Sequence, residues 1–173
     1  MSGLSTKPVT QEYAPYYGRY VDLVPAGNVI DTLRQHMTDT LSLISGLTEQ
    51  QALHRYAPGK WSIKEIIGHI IDSERIFAYR VLRFARNDQT PLAGFEQDDY
   101  MINSAFDERQ LSDLAKEYEH VRQANLFLFE SMSEEAWNRR GVASEAEVSV
   151  RALVWIISGH ELHHKQVIRT RYL

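Results

Sequence analysis

The chain contains no cysteine. Disulfide frameworks, thiolate nucleophiles and cysteine-based metal sites are therefore excluded, and any metal site must use His, Asp or Glu. Positive charge is not in excess either. The 19 Lys and Arg face 23 Asp and Glu, for a net charge of -4, which argues against a nucleic-acid or anionic-membrane surface. No apolar run approaches the roughly 20 residues that span a bilayer. No basic stretch followed by an apolar one marks a signal peptide, so a cytoplasmic location is expected. Convincing strand patterns, internal repeats and low-complexity tracts are also missing.

What remains is ordinary for a globular protein: 173 residues, 43% hydrophobic and 24% charged, enough for one domain with a real core. Residues 1–27 are aromatic-rich and broken by Pro and Gly, and read as an arm draped over a single domain at 28–173. From Asn28, a plausible N-cap, Val29, Leu33, Met37, Leu41 and Ile44 recur at helical spacing. After a turn at "APGKW", Ser62 and Glu65 form a capping box for a second helix reaching about Arg86. Residues 87–106 read as a long crossover with one helical turn. A third helix is predicted over about Ser112–Met132, with Leu114, Tyr118, Val121, Leu126 and Phe129 inward and Glu117 and Arg122 on its polar face. A polar connection with a short helical turn follows, and Ser149 caps a last helix. Four long amphipathic helices predict an all-α four-helix bundle.

The last helix carries "GHELHHKQV", in which His160-Glu161-Leu162-His163-His164 matches H-E-x-x-H. At about 100° per residue, His160 and His164 lie about 40° apart, in the middle of the apolar stripe, with His163 at its edge. Two inward imidazoles among Leu, Ile and Val need partners, and one divalent cation would satisfy both. A metalloprotease would take its third ligand from later in the chain, but "KQVIRTRYL" offers no His, Asp or Glu, and no edge strand is available to align a peptide. The third ligand must come from upstream. His36, His54, His69 and His120 are the candidates, and periodicity alone favours His69, which falls at the border of its helix's apolar stripe.

"PGKWSIKEIIGHIIDSERIF" together with "ALVWIISGHELHHKQVI" resembles the DinB/YfiT-like superfamily of metal-dependent enzymes. Its members share a Trp shortly before a helix with one His, and a last helix with H-x-x-x-H. Carried over by position, the family's metal triad falls on His69, His160 and His164. The resemblance covers the chain from the aromatic arm onward. It implies a four-helix bundle, one divalent metal ion, zinc or nickel, and a homodimer. It also implies a small-molecule substrate, acted on by a metal-dependent hydrolase or by a transferase using a low-molecular-weight thiol such as bacillithiol or mycothiol. A non-enzymatic metal-binding stress protein is the third reading. Glu161 is outside the family pattern, and its place about 60° around the helix from His164 makes it a speculative catalytic base.

Four other features carry weaker expectations. Glu74 would either orient a ligand imidazole or pair with Arg75 or Arg80. Trp61 reads as a core or hinge aromatic. "GFEQDDY" reads as a solvated acidic loop that could instead close over the cleft, with Asp98 or Asp99 near the metal. Trp155, Leu162 and Leu173 would form a second apolar strip, covered by the arm or by a partner subunit.

Overall fold

The computed structural model describes residue 4 and residues 6–173. Its helices, in chain order, are α1 (Gly18–Val21), α2 (Val29–Ser45), α3 (Glu49–Ala52), α4 (Ile63–Ala85) and α5 (Gln97–Ile102). They are followed by α6 (Leu111–Glu130), α7 (Glu134–Asn138) and α8 (Val150–Val167). The four long helices, α2, α4, α6 and α8, pack into a bundle. Their starts are set locally, as the sequence suggests. Asn28 Oδ1 accepts from Ile30 N at 2.9 Å. Ser62 Oγ accepts from Glu65 N at 3.0 Å while Glu65 Oε2 accepts from Ser62 N at 2.7 Å. Ser149 Oγ accepts from Ala152 N at 3.0 Å. Each cap satisfies an amide that the first helical turn leaves without a partner. No helix among the described residues is long and apolar enough to cross a membrane.

The bundle's interior has two apolar cores separated by a polar layer. One core gathers Leu33 of α2, Phe77 and Val81 of α4, Phe129 of α6 and Leu153 to Ile157 of α8. The other gathers Ile44, Ile63, Ile66, Ile67, Ile70, Ile71, Leu114 and Ile168. Between them, each long helix contributes buried polar groups: His36 and Thr40, His69, Ser73 and Glu74, Arg122, and His160, Glu161 and Lys165. Burying this many polar groups is unfavourable unless they satisfy one another. The layer is therefore where chemistry is to be sought.

Three sequence expectations change. A hairpin is present where no strand was expected: β1 (Arg140–Ala143) pairs antiparallel with β2 (Ala146–Ser149). The turn residues Ser144 and Glu145 both sit at positive φ, 52° and 63°, a conformation usually signalled by Asn-Gly, so Ser-Glu carries no hairpin cue. Leu92 of the crossover bridges to Ala143 alongside it. The arm is not simply draped: Tyr13, Tyr20, Val21 and Val24 belong to the first core, and Glu12 reaches Ser149 Oγ at 2.7 Å and Arg151. This arm also covers Trp155, with Lys7 over its ring at 5.8 Å, while Leu173 stays exposed. Finally, Arg122 is not on a polar face. It is 0% exposed.

Gly159 permits the arm's closest approach. A Cβ there would lie 2.0 Å from the Tyr20 carbonyl oxygen and 2.4 Å from its carbon, so any side chain would push α1 off α8. Overpacking against rigid backbone costs about 1–3 kcal/mol or more. Gly159→Ala is expected to lower the unfolding free energy by about that amount, read by denaturant melts.

Candidate metal centre

His69 on α4 and His160 and His164 on α8 turn their rings toward one point. The Nε2 atoms of His69 and His160 are 3.0 Å apart, and those of His164 and His160 are 3.1 Å apart. One ligand atom from each residue lies within 4.8 Å of the other two. Protons alone do not resolve this arrangement. A neutral imidazole nitrogen either carries one hydrogen or offers one lone pair, yet His160 Nε2 faces two other nitrogens at once. A cation accepts all three lone pairs together. Tetrahedral coordination at about 2.05 Å would set nitrogens about 3.3 Å apart, close to the spacing found.

Electrostatics favour the neutral, ligating form. Burial pushes the His69 imidazole down to about 4. Burial and then the neighbouring histidines push His160 and His164 well below the ordinary histidine range. All three keep their lone pairs at neutral pH.

His69 is 2% exposed, more deeply buried than its place on the helical wheel suggests, and it lines a cavity. Its helical wheel could not register the groups that cover it from other elements, the Trp61 ring at 4.9 Å and the His160 and His164 rings at 4.8 Å each. Trp61 is thus part of the site's wall, more than a hinge, and its carbonyl accepts from the Tyr172 hydroxyl at 2.6 Å. The Tyr20 ring stands edge-on to His160 at 5.3 Å and to His163 at 5.5 Å. No spacing pattern in the arm announced this role. His163 is half-buried beside the cluster and outside the converging set. His54 and His120 are exposed.

Two cavities reach the histidines. One, of about 360 Å³, meets His69 and His160 and is walled by Tyr16, Tyr17, Tyr20, Phe77 and Phe95. The other, of about 320 Å³, meets His164 and His163 and is walled by Tyr56, Lys60, Trp61 and Tyr172. Asp98 at the start of α5 borders both. The acidic crossover is therefore solvated and also sits at the mouth of the site.

Glu161 and Glu74 are placed elsewhere. Glu161 borders neither cavity. Its carboxylate accepts from Tyr118 Oη at 2.6 Å, from Arg122 Nη2 at 2.7 Å and from Thr40 Oγ1. Burial alone would raise this carboxyl, but Arg122, Lys165 and these bonds hold it down at about 2, so it is a poor base as well as a remote one. Glu74 does not orient an imidazole and pairs with neither Arg75 nor Arg80. It takes two 2.8 Å bonds from Arg122 and one of 3.1 Å from Asn125. His36, buried behind Glu161 at 3.8 Å, is pushed down to about 4 mainly by burial. It belongs to this ionic group, away from the converging histidines. Residues 100° apart on α8, His160 and Glu161, thus serve opposite sides of one polar layer.

The family model of the DinB superfamily matches residues 32–168. The chain belongs to the DinB superfamily. A protein of Oceanobacillus iheyensis named "Putative metal-dependent hydrolase OB0413" is 25% identical over 137 residues, 78% of this chain and 76% of that one. Among solved structures, YfiT from Bacillus subtilis is described as "a probable metal-dependent hydrolase with an unusual four-helix bundle topology". It aligns over 95% of this chain and 93% of its own, with a TM-score of 0.74 and 13% identity. The mycothiol-dependent maleylpyruvate isomerase aligns over 79% of this chain and 58% of its own, with a TM-score of 0.66 and 13% identity. At such identities these two likenesses speak for the fold alone.

Proposed function

We propose that His69, His160 and His164 hold one divalent cation, zinc or nickel, and that this DinB superfamily member is a metal-dependent hydrolase of a small molecule. The observation that carries the reading is the convergence of three Nε2 atoms, where the single Nε2 of His160 faces two other ring nitrogens at 3.0 and 3.1 Å. Three protein ligands leave a coordination position open, as in catalytic rather than structural sites. When bound, such a cation acidifies water toward neutrality and polarises carbonyl groups. The chain's own residues would do the rest. Tyr20, Phe77 and Trp61 exclude bulk water around the cluster, and Asp98, at the mouth of both cavities, is the carboxylate placed to carry a proton in or out.

A second reading is favoured by the two cavities. Hydrolysis needs room for one organic substrate, whereas transfer to a small thiol needs room for two. The thiol would have to be borrowed, since the chain has no cysteine, and sulfur is a suitable ligand for zinc. A screen of small esters, amides and electrophiles on metal-loaded protein, with and without low-molecular-weight thiols, separates the readings. Turnover without thiol supports hydrolysis, and turnover that requires thiol replaces it with transfer. Chelation is expected to lower the melting temperature by roughly 10 °C, given about 4 kcal/mol from a ligand at a thousand times its Kd, with the helical signal retained at room temperature. Loss of that signal on chelation, together with no turnover, would favour the non-enzymatic reading.

A further inference from the structure

Arg80 is 3% exposed, and no carboxylate lies within 4.0 Å of it among the described residues. Its polar partners there are two neutral oxygens, both on Nη2: Ala93 O at 2.9 Å and Ser144 Oγ at 3.0 Å. The N–H groups on Nε and Nη1 have no acceptor among the described residues. A buried arginine is ordinarily paired, because the desolvated charge is costly alone. Arg122, by contrast, is fully paired with Glu74 and Glu161, and even Lys165, whose Nζ makes no hydrogen bond among the described residues, has the Asp39 and Glu161 carboxylates within 4.0 Å.

Its position gives the missing partner an address. His69, Ser73 and Phe77 line the larger cavity from α4; Arg80 lies just behind that lining, the next residue along the same face and about 20° from His69 on the helix. Helical side chains lean toward the N-terminus, which here is toward the histidines. The guanidinium carbon lies 5.6 Å from the Phe77 ring centre, which is itself 6.3 Å from that of His160. Of the two groups touching Nη2, Ser144 lines the cavity, and Ala93 precedes Gly94, which also lines it. A Cβ on Gly94 would come within 3.3 Å of Ser144 Oγ, so crossover and hairpin are tightly fitted there. The cavity's own carboxylates, Glu96 and Asp98, are exposed on the crossover.

We propose that Arg80 anchors the carboxylate of a small-molecule substrate whose reacting group lies at the three histidines, with aromatic rings along the span between. The proposal rests on the metal-centre reading above and adds the substrate class: an acid with an apolar body, bound as its anion. Guanidinium groups with free N–H donors suit carboxylates, and such charge-assisted bonds are among the stronger ones.

Two hydroxamic acids test it on zinc-loaded protein, with zinc content measured beforehand. Octanohydroxamic acid and the monohydroxamate of suberic acid share an eight-carbon chain, but only the second ends in a carboxylate. Calorimetric titration should show the second binding roughly tenfold more tightly or better. In Arg80→Met the two should bind alike, with the octanoic compound unchanged, and Arg80→Lys should recover part of the preference. Arg80→Met should change the melting temperature little, since it removes two hydrogen bonds to neutral oxygens together with a buried charge that has no counter-ion among the described residues. A marked fall in melting temperature with no loss of selectivity would assign Arg80 to structure and overturn the proposal. Equal binding of both compounds to the unmodified protein would overturn it and leave the metal centre standing. Zinc-loaded protein that binds neither would overturn both.

Discussion

His160→Ala is expected to weaken zinc binding by two to three orders of magnitude, whereas His163→Ala, one turn's edge away, should bind with full stoichiometry. His160 is the hub of the cluster, the ring whose Nε2 faces both others. Structural zinc sites with four ligands gain about 10–16 kcal/mol in all, so each ligand contributes about 3–4 kcal/mol. Removing one leaves two imidazoles and a far weaker site. The apo protein should fold normally, because the alanine removes a buried polar ring rather than a hydrogen-bonded partner of the core. Metal titration monitored by a competing chromophoric chelator reads both variants. Tight stoichiometric binding by His160→Ala would show that the cation sits elsewhere.

Arg122→Met should be the most destabilising of the substitutions considered, by about 3–5 kcal/mol, because it strands two buried carboxylates. Arg122 holds Glu74 through two bonds and Glu161 through a third, and also donates to Leu33 O at 3.1 Å. It thereby ties α6 to α2, α4 and α8 at the level of the metal centre. Replacing Glu74, Arg122 and Glu161 together by Leu, Met and Leu should cost far less than Arg122→Met alone, since apolar groups of similar volume substitute well for buried ions. The triple variant has a second expected effect. Without Glu161 tied to Tyr118 and Thr40, α8 loses what fixes its rotation, and metal affinity should fall by 10–100-fold, as for groups that orient ligands indirectly. Denaturant melts and metal titration measure the two effects separately. A triple variant as unstable as Arg122→Met would show that these ions are not balanced against one another.

Much of this was legible in the sequence. Helical spacing from Val29 to Ile44 and the caps at Asn28, Ser62 and Ser149 located the long helices, because amphipathic periodicity and capping are local properties. The same periodicity turned His160 and His164 inward. What escaped was everything set by a second element. His69 reads as a border residue on its own helix and is buried because Trp61 and the α8 histidines cover it. Arg122 follows Val121 in a stretch with charged neighbours, and only Glu74 and Glu161, from distant helices, make its burial affordable. Glu161 completes an H-E-x-x-H string by spacing, yet its carboxylate faces the opposite side of the polar layer. The hairpin at Arg140–Ser149 is too short for a periodic signal and turns on Ser-Glu.

X-ray absorption at the zinc edge of the loaded protein tests the central claim most directly. The account predicts three imidazole nitrogens at about 2.0–2.1 Å and one exchangeable light-atom ligand, the latter replaceable by a small molecule that enters the cavities. Four protein ligands, or a coordination shell unchanged in His69→Ala, would contradict it.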